Sequence, residues 1–160
     1  MEPITLRDIS YDNLKAIIKM HDRLSDADKH KVAPNVVSLA EAYLNYAIAW
    51  PKAIYRGEEP VGFVMLGLDD YIADKADTPV YFLWRFMVAP EEQGTGIGKA
   101  VIQLLVDKCI ADGRRYLYVS CHTEEAMPKA FYEANGFVST GRVDDGELIL
   151  KRQINPELTT

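Results

Sequence analysis

Apolar and polar residues change their spacing several times along this chain, and each change marks an element. From Gly96 to Asp112 the apolar positions Ile97, Val101, Leu104, Leu105 and Cys109 fall three or four apart, which predicts an amphipathic helix ended by Gly113. Tyr116 to Ser120 reads as a strand of aromatic and β-branched residues, and Val80 to Ala89 as a longer one. Lys52 to Tyr55 and Val61 to Leu68 flank Arg56-Gly57-Glu58-Glu59, while Val138 to Arg142 and Glu147 to Lys151 flank Asp144-Asp145-Gly146; both pairs read as β-hairpins. Ile4 to Arg7 reads as a short first strand. Ser10 is placed to cap a helix running to about Met20, with Leu14, Ile17 and Ile18 on one face. Ser38 and Glu41 have capping-box spacing, and the helix behind them, with Leu39, Ala42, Tyr43, Tyr46 and Ala47, is expected to end before Pro51. Glu124 to Ala134 reads as a helix started late because of Pro128 and broken by Asn135-Gly136. Residues 21–35 are polar with room for a short helix before Pro34, Asp69 to Pro79 is a polar connection, and 153–160 a loose tail.

The predicted order is β, α, α, β, β, β, α, β, α, β, β. Hairpins around a central βαβ unit predict an α/β fold, a mixed sheet with helices on both faces. At 160 residues the chain is expected to form one domain, residues 1–152, with 153–160 as its tail. Such a chain buries about 70% of its extended surface, enough for a core. No apolar run reaches the length of a membrane span, and the start lacks the basic and apolar regions of a signal peptide. Cys109 and Cys121 form no spaced framework and read as buried free thiols, which fits a cytoplasmic protein. The net charge of −6 speaks against nucleic acid as a partner and suits a cationic substrate, although mild acidity also serves solubility alone.

The densest chemistry lies at 86–99, Phe-Met-Val-Ala-Pro-Glu-Glu-Gln-Gly-Thr-Gly-Ile-Gly-Lys. An apolar strand runs through three glycines, Gly94, Gly96 and Gly98, into the helix. Glycine allows a tight turn and a close backbone approach, and the first turn of a helix offers unpaired N–H groups at the positive end of its dipole. That combination suits phosphate or pyrophosphate. A Walker loop fails here, because Gln93 stands where its first Gly is required and Ala100 follows Lys99. A dinucleotide fingerprint fails in both registers, with Lys99 or Val101 at the third glycine position.

Gln93-x-x-Gly96-x-Gly98 between a strand and a helix resembles the acyl-CoA loop of the GNAT N-acetyltransferases, and Phe131-Tyr132-Glu133-Ala134-Asn135-Gly136-Phe137 resembles the second signature of that family, a Tyr before Gly-Phe. The resemblance covers roughly residues 4–151 and is strongest from 80 to 137. It implies a mostly antiparallel sheet of six to seven strands with a splayed central parallel pair, and acetyl-CoA as co-substrate. Phe86, Met87 and Val88 would line the pantetheine arm. The N–H of Met87 or Val88 would polarise the thioester carbonyl and hold the oxyanion, a contribution of about 2.7–4 kcal/mol where such donors have been removed. The N–H groups of Gln93, Gly94, Thr95, Gly96, Ile97, Gly98 and Lys99 would hold the pyrophosphate, with Lys99 either adding charge or merely solvated. Tyr132 matches the general-acid tyrosine, which protonates the leaving thiolate. No metal is implied.

The chain departs from the family pattern at Glu125 and Pro128, where relatives carry Asn and Ala, so the usual Asn contact with the CoA arm is in doubt. Arg85, amid apolar residues, needs a carboxylate or an exposed face. Candidates for the base that deprotonates the amine are Glu41, Asp69, Asp70, His122 and Glu125. Leu83-Trp84-Arg85-Phe86-Met87-Val88 and Gly146-Glu147-Leu148-Ile149-Leu150-Lys151 look similar to bacterial spermine/spermidine acetyltransferases. A polyamine acceptor would meet Asp26, Asp28, Glu41, Asp69, Asp70, Asp74 and Asp77, and Tyr43, Tyr46 and Trp50 by cation–π contact. Helical spacing favours the core for those aromatics instead. Aminoglycosides, amino acids and protein N-termini stay open as acceptors, as does an acyl-CoA-binding sensor without catalysis. A homodimer is expected from the open edge of the C-terminal hairpin.

Overall fold

A computed structural model describes residues 2–123 and 126–154. Seven strands follow one another in the order β1-β2-β3-β4-β5-β7-β6. They are β1 (Ile4–Arg7), β2 (Ala49–Arg56), β3 (Glu59–Gly67), β4 (Val80–Val88), β5 (Tyr116–His122), β6 (Val138–Asp144) and β7 (Glu147–Gln153). The helices are α1 (Leu14–Met20), α2 (Asp26–Lys29), α3 (Asn35–Leu44), α4 (Ile97–Ala111) and α5 (Ala126–Ala134). The mixed α/β architecture matches the pattern-based expectation, and the predicted order holds except that the short α2, for which residues 21–35 left room, adds a helix between β1 and β2. Contacts divide the chain into two compact units, Met1–Gly67 with Arg85–Leu104, and Leu68–Trp84 with Leu105–Thr160.

In the first unit β1 and β2 are antiparallel, as are β2 and β3. Val61 to Gly67 is buried at every position, so β3 reads as a continuous apolar run rather than an alternating one. Its core adds Ile17 and Met20 from α1 and Ala53 and Ile54 from β2. Two boundaries differ from expectation. Strand β2 contains Pro51, opposite Met65, and begins at Ala49. Strand β1 pairs only with Ala53–Arg56, so the imide nitrogen of Pro51 is spared a ladder position on that side. Helix α3 therefore ends early, at Leu44. Asn45 closes it, its backbone N–H and its side-chain amide both donating to the Glu41 carbonyl at 2.9 Å. The expected capping box does not form: Val37 and Ser38 donate to the Pro34 carbonyl, so the helix starts at Asn35 and Ser38 is buried inside it. Likewise Ser10 opens a turn, its carbonyl accepting from Leu14 at 2.9 Å, and α1 begins only at Leu14.

In the second unit β4 and β5 run parallel, in register from Val80–Tyr116 to Leu83–Val119, while β5 and β7 are antiparallel, as are β6 and β7. Strand β5 extends past Ser120 because Cys121 and His122 still pair with Leu148 and Glu147. Asp145 and Gly146 both have positive φ, 49° and 78°, which gives the β6–β7 hairpin the tight turn its sequence predicts. The core comprises Val80, Leu105, Leu117, Tyr118, Val119, Phe137, Ile149 and Leu150. Residues 124 and 125, and with them the expected helix start at Glu124, lie outside the described residues, as does most of the expected tail.

Both cysteines are free and buried, as expected. Burial pushes the Cys109 thiol up to about 12, and burial also raises the phenols of Tyr118, Tyr81 and Tyr132. An unfolded chain sheds these protons at lower pH than the folded one, so stability that is intact below about pH 9 falls as the pH rises towards 12. Urea midpoints at pH 8 and pH 10.5 should show that loss. Iodoacetamide at pH 8 should leave Cys109 unmodified until the protein is unfolded, since the thiolate is the reactive form.

Candidate functional site

Strand β4 leaves the sheet at Val88 and delivers the chain, through a 3-10 turn at Pro90–Glu92, into the glycine loop. Met87 is buried, and Phe86 and Val88 are half-buried. The backbone at Met87 is crowded: a Cβ on Gly62 of β3 would stand 2.6 Å from the Met87 carbonyl oxygen, so glycine is what lets the two backbones meet. Asn35, at the start of α3, is buried beside it, its amide donating to the Ile17 carbonyl at 2.8 Å and to Met87 Sδ at 3.3 Å. The Ala89 N–H donates to the Val61 carbonyl at 2.8 Å and pins the strand end.

The loop is held from beneath. Gln93 Nε2 donates back to the Val88 carbonyl at 3.2 Å, and Thr95 Oγ1 donates to the Glu92 carbonyl at 2.5 Å. The buried Glu92 carboxylate is paired with Arg56, which also reaches Glu59 at 3.2 Å, and Glu91 is paired with Arg23 at 2.5 Å. Gly94 and Gly96 have φ of 78° and 88°, conformations that other residues rarely adopt. A Cβ at either would meet nothing within 4 Å, so backbone shape makes these glycines necessary, and the space above them is open. Gly98 does not share the positive φ; it stands in the first turn of α4. The first bond of that helix runs from the Ala100 N–H to the Gly96 carbonyl at 3.1 Å, which leaves the N–H groups of Ile97, Gly98 and Lys99 ahead of the ladder. The Ile97 side chain is buried and only its backbone faces the loop, while Lys99 is exposed. Phe86 through Lys99 thus form one continuous strand–loop–helix edge, hydrogen-bonded below and open above, with leading N–H groups of the kind that can donate to an anion. Sequence reading did not find the Arg56–Glu92 anchor, because nothing local marks a partner 36 residues away.

Tyr132 belongs to the second unit. Its half-buried ring meets Phe131 edge-on at 5.3 Å and Phe137 at 5.4 Å. Burial, with Cys121 as a second cause, lifts its hydroxyl well above the usual phenol range, so it stays protonated across neutral pH. Gly136, at φ 88°, turns the chain so that Phe137 N–H donates to the Tyr132 carbonyl at 3.0 Å and closes α5.

Several of the expected acceptor-side carboxylates are already engaged. Glu41 meets Arg85 at 3.3 Å, which supplies the carboxylate that Arg85 requires. Asp28 is paired with Lys31 at 3.2 Å. Asp70 accepts from the Val80 N–H at 2.9 Å, and Asp74 faces Arg142 at 3.6 Å. Asp77 is buried, accepting from Tyr118 Oη at 2.5 Å and Lys151 Nζ at 2.7 Å. Burial opposes its ionisation, yet these bonds outweigh that and hold its carboxyl below the usual range. The connection from Asp69 to Pro79 is therefore a clamped segment, tied down further by Arg115 donating to the Ala76 and Thr78 carbonyls at 2.7 and 3.2 Å. The aromatic expectation is also corrected: Tyr43 and Tyr46 are exposed, not core, because α3 turns them outward or ends before them. Trp50 is half-buried beneath Lys52, whose ammonium sits 4.8 Å from its ring. His122 is exposed, and Glu125 lies outside the described residues. Among the described residues, no group of three His, Cys, Asp or Glu side chains is placed to hold a metal ion, and no helix is long and apolar enough to cross a membrane.

The family model for GNAT acetyltransferases matches residues 19–137. The spermine/spermidine N(1)-acetyltransferase of Bacillus subtilis is 26% identical over 94% of this chain and 99% of its own length. The aminoglycoside N(6′)-acetyltransferase type 1 of Stenotrophomonas maltophilia is 34% identical over 53% of this chain and 56% of its own length. Among solved structures, the PaiA N-acetyltransferase of Thermoplasma acidophilum in complex with coenzyme A has a TM-score of 0.68 at 15% identity, covering 94% of this chain and 99% of that one.

Proposed function

Since this chain belongs to the GNAT family of acetyltransferases, we propose that it moves an acetyl group from acetyl-CoA to a primary amine of a small cationic acceptor, a polyamine first among them, by direct attack in a ternary complex. The observation that carries the reading is the Gln93-x-x-Gly96-x-Gly98 loop, with its two left-handed glycines, its open space and the leading N–H groups of α4. These features fit a pyrophosphate, because donors fixed by the backbone need no reordering when the anion arrives.

In this reading the backbone from Gln93 to Lys99 holds the pyrophosphate of the donor, and Phe86, Met87 and Val88 line its pantetheine arm. A backbone N–H of Met87 or Val88 takes the oxyanion of the tetrahedral intermediate. Its position is fixed by the Gly62 approach and by the Ala89–Val61 bond. Tyr132 gives its proton to the departing thiolate and supports collapse towards the acetylated amine. The acceptor enters as the neutral amine, and His122 or Asp69 takes the proton released on attack. The Bacillus relative, similar along its whole length, supports the polyamine. The engaged carboxylates leave Asp26 and Asp69 as the acidic residues of that reading with no partner described above. The same reading takes residues 1–152 as one cytoplasmic catalytic domain. It works as a homodimer on small molecules rather than on nucleic acid or membranes, in keeping with the net charge of −6.

Purified protein mixed with acetyl-CoA and a panel of amines should release free thiol selectively with spermine or spermidine. Release with an aminoglycoside alone would move the acceptor class and keep the chemistry. Coenzyme A binding with no release across the panel would defeat the catalytic reading. Glu92→Gln, which neutralises one of the two carboxylates paired with Arg56 beneath the loop, should raise KM for acetyl-CoA several-fold with kcat retained. Equal losses in both constants would show that the anchor does more than place the anion site.

A further inference from the structure

Helix α3 and the turn after it expose a surface without charge. Between residues 36 and 47 the exposed positions are Val36, Val37, Ala40, Tyr43, Leu44, Asn45, Tyr46 and Ala47. Tyr43, Leu44 and Tyr46 keep 81%, 77% and 84% of their surface open. The opposite side of the helix, Asn35, Ser38 and Ala42, is buried, and its one charged residue, Glu41, is turned to Arg85 at 3.3 Å. Clustered exposed apolar side chains mark an interaction site, whereas scattered ones do not. Tyrosine-rich, charge-depleted patches have the composition of interface cores.

We propose that this outer face of α3 is the surface through which two copies of the chain associate, helix against helix across a two-fold axis. It is not a small-molecule pocket, because such sites are concave and these rings stand almost fully clear of the protein. A membrane is a poor occupant for a chain of net charge −6, which an anionic surface repels. The net charge of −6 opposes association of two copies in general, and a patch that brings no charge against charge adds nothing to that cost. An isologous contact also needs a self-complementary face, which a charge-free apolar stripe supplies. Aromatic side chains bury about 150–250 Å² each. With Leu44 and the two valines, the patch approaches the roughly 800 Å² per partner of an ordinary stable interface.

Strand β6, the free edge of the C-terminal hairpin, serves this purpose less well. Its register shifts between Ser139 and Val143, where Gly141 has φ 79°, and a bulge of this kind blunts an edge against strand addition. The inference takes the homodimer of the functional reading as its basis and assigns the surface; it is independent of the acetyl-transfer chemistry.

Sedimentation velocity from low to several hundred micromolar tests it. The wild type is expected to sediment as a dimer. Leu44→Lys and Tyr43→Lys should weaken the dimer at least about thirtyfold, the effect of losing an interface hot spot, with far-UV circular dichroism unchanged because both side chains are exposed. Val143→Lys, on β6, should leave assembly untouched. Ala40→Cys under oxidation should give a disulfide-linked dimer, and Cys109 and Cys121, being buried, do not compete. A wild type that is monomeric throughout would overturn both the dimer and the surface. A dimer that survives Leu44→Lys, or one that Val143→Lys breaks, would overturn the surface alone.

Discussion

Tyr132→Phe is expected to lower turnover by about 10²- to 10⁴-fold, the range for losing a positioned general acid, while coenzyme A binding stays as it was. The substitution removes one oxygen and keeps the ring that packs against Phe131 and Phe137 at 5.3 and 5.4 Å, so α5 has no reason to move. Burial holds the phenol protonated well past neutral pH. The proton is therefore available over the whole working range, and the kcat profile of the wild type should show no loss from this group between pH 7 and pH 9.5. Steady-state kinetics with thermal-shift measurement of coenzyme A binding separate the outcomes. Turnover unchanged in the variant would remove Tyr132 from the chemistry. Loss of coenzyme A stabilisation would make it a binding residue instead.

The second large effect is expected at Gly96. A β-branched residue at φ 88° costs about 1–2 kcal/mol or more, which the loop escapes only by changing shape. A changed loop misaligns the N–H groups at the start of α4, so Gly96→Val should raise KM for acetyl-CoA by about ten- to a hundredfold, since each 1.4 kcal/mol of binding is worth a factor of ten. Gly98→Ala is the instructive partner. No left-handed backbone is strained there, and alanine favours a helix. A rise in KM at Gly98 would thus report the closeness of the donor to the backbone, and a rise at Gly96 the shape of the turn. If Gly96→Val left KM for acetyl-CoA unchanged, the loop would not be the donor site.

The strand–loop–helix unit was legible in the sequence because its signals are local: an apolar run, glycines at alternate positions and a helical period follow one another directly between Val80 and Asp112. The hairpin at Asp145-Gly146 was legible for the same reason, since its turn residues lie in the turn. What escaped depended on distance along the chain. Pro51 looked like the end of a helix, and only the short reach of β1, which leaves Pro51 beyond its ladder, makes room for it in a strand. The spacing of Tyr43 and Tyr46 suggested a buried face, but spacing tells that a helix has an apolar side and not that anything in the chain covers it. Asp77 looked like a free carboxylate for a polycation. Its partners Tyr118 and Lys151 come 41 and 74 residues later, and they convert it into a fastening for the segment before β4.

Arg56 and Glu92 stand 36 residues apart in sequence, one at the end of β2 and the other just before the glycine loop. In descent, the two positions are bound to change together. A lineage that loses Arg56 first leaves the buried Glu92 carboxylate without its arginine. One that loses Glu92 first leaves an arginine whose remaining acidic neighbour, Glu59, lies on the far strand of the same hairpin. Each single step is disfavoured, so substitutions at 56 and 92 should be found as pairs among diverging relatives, and the glycine loop should drift freely only where both have already become neutral.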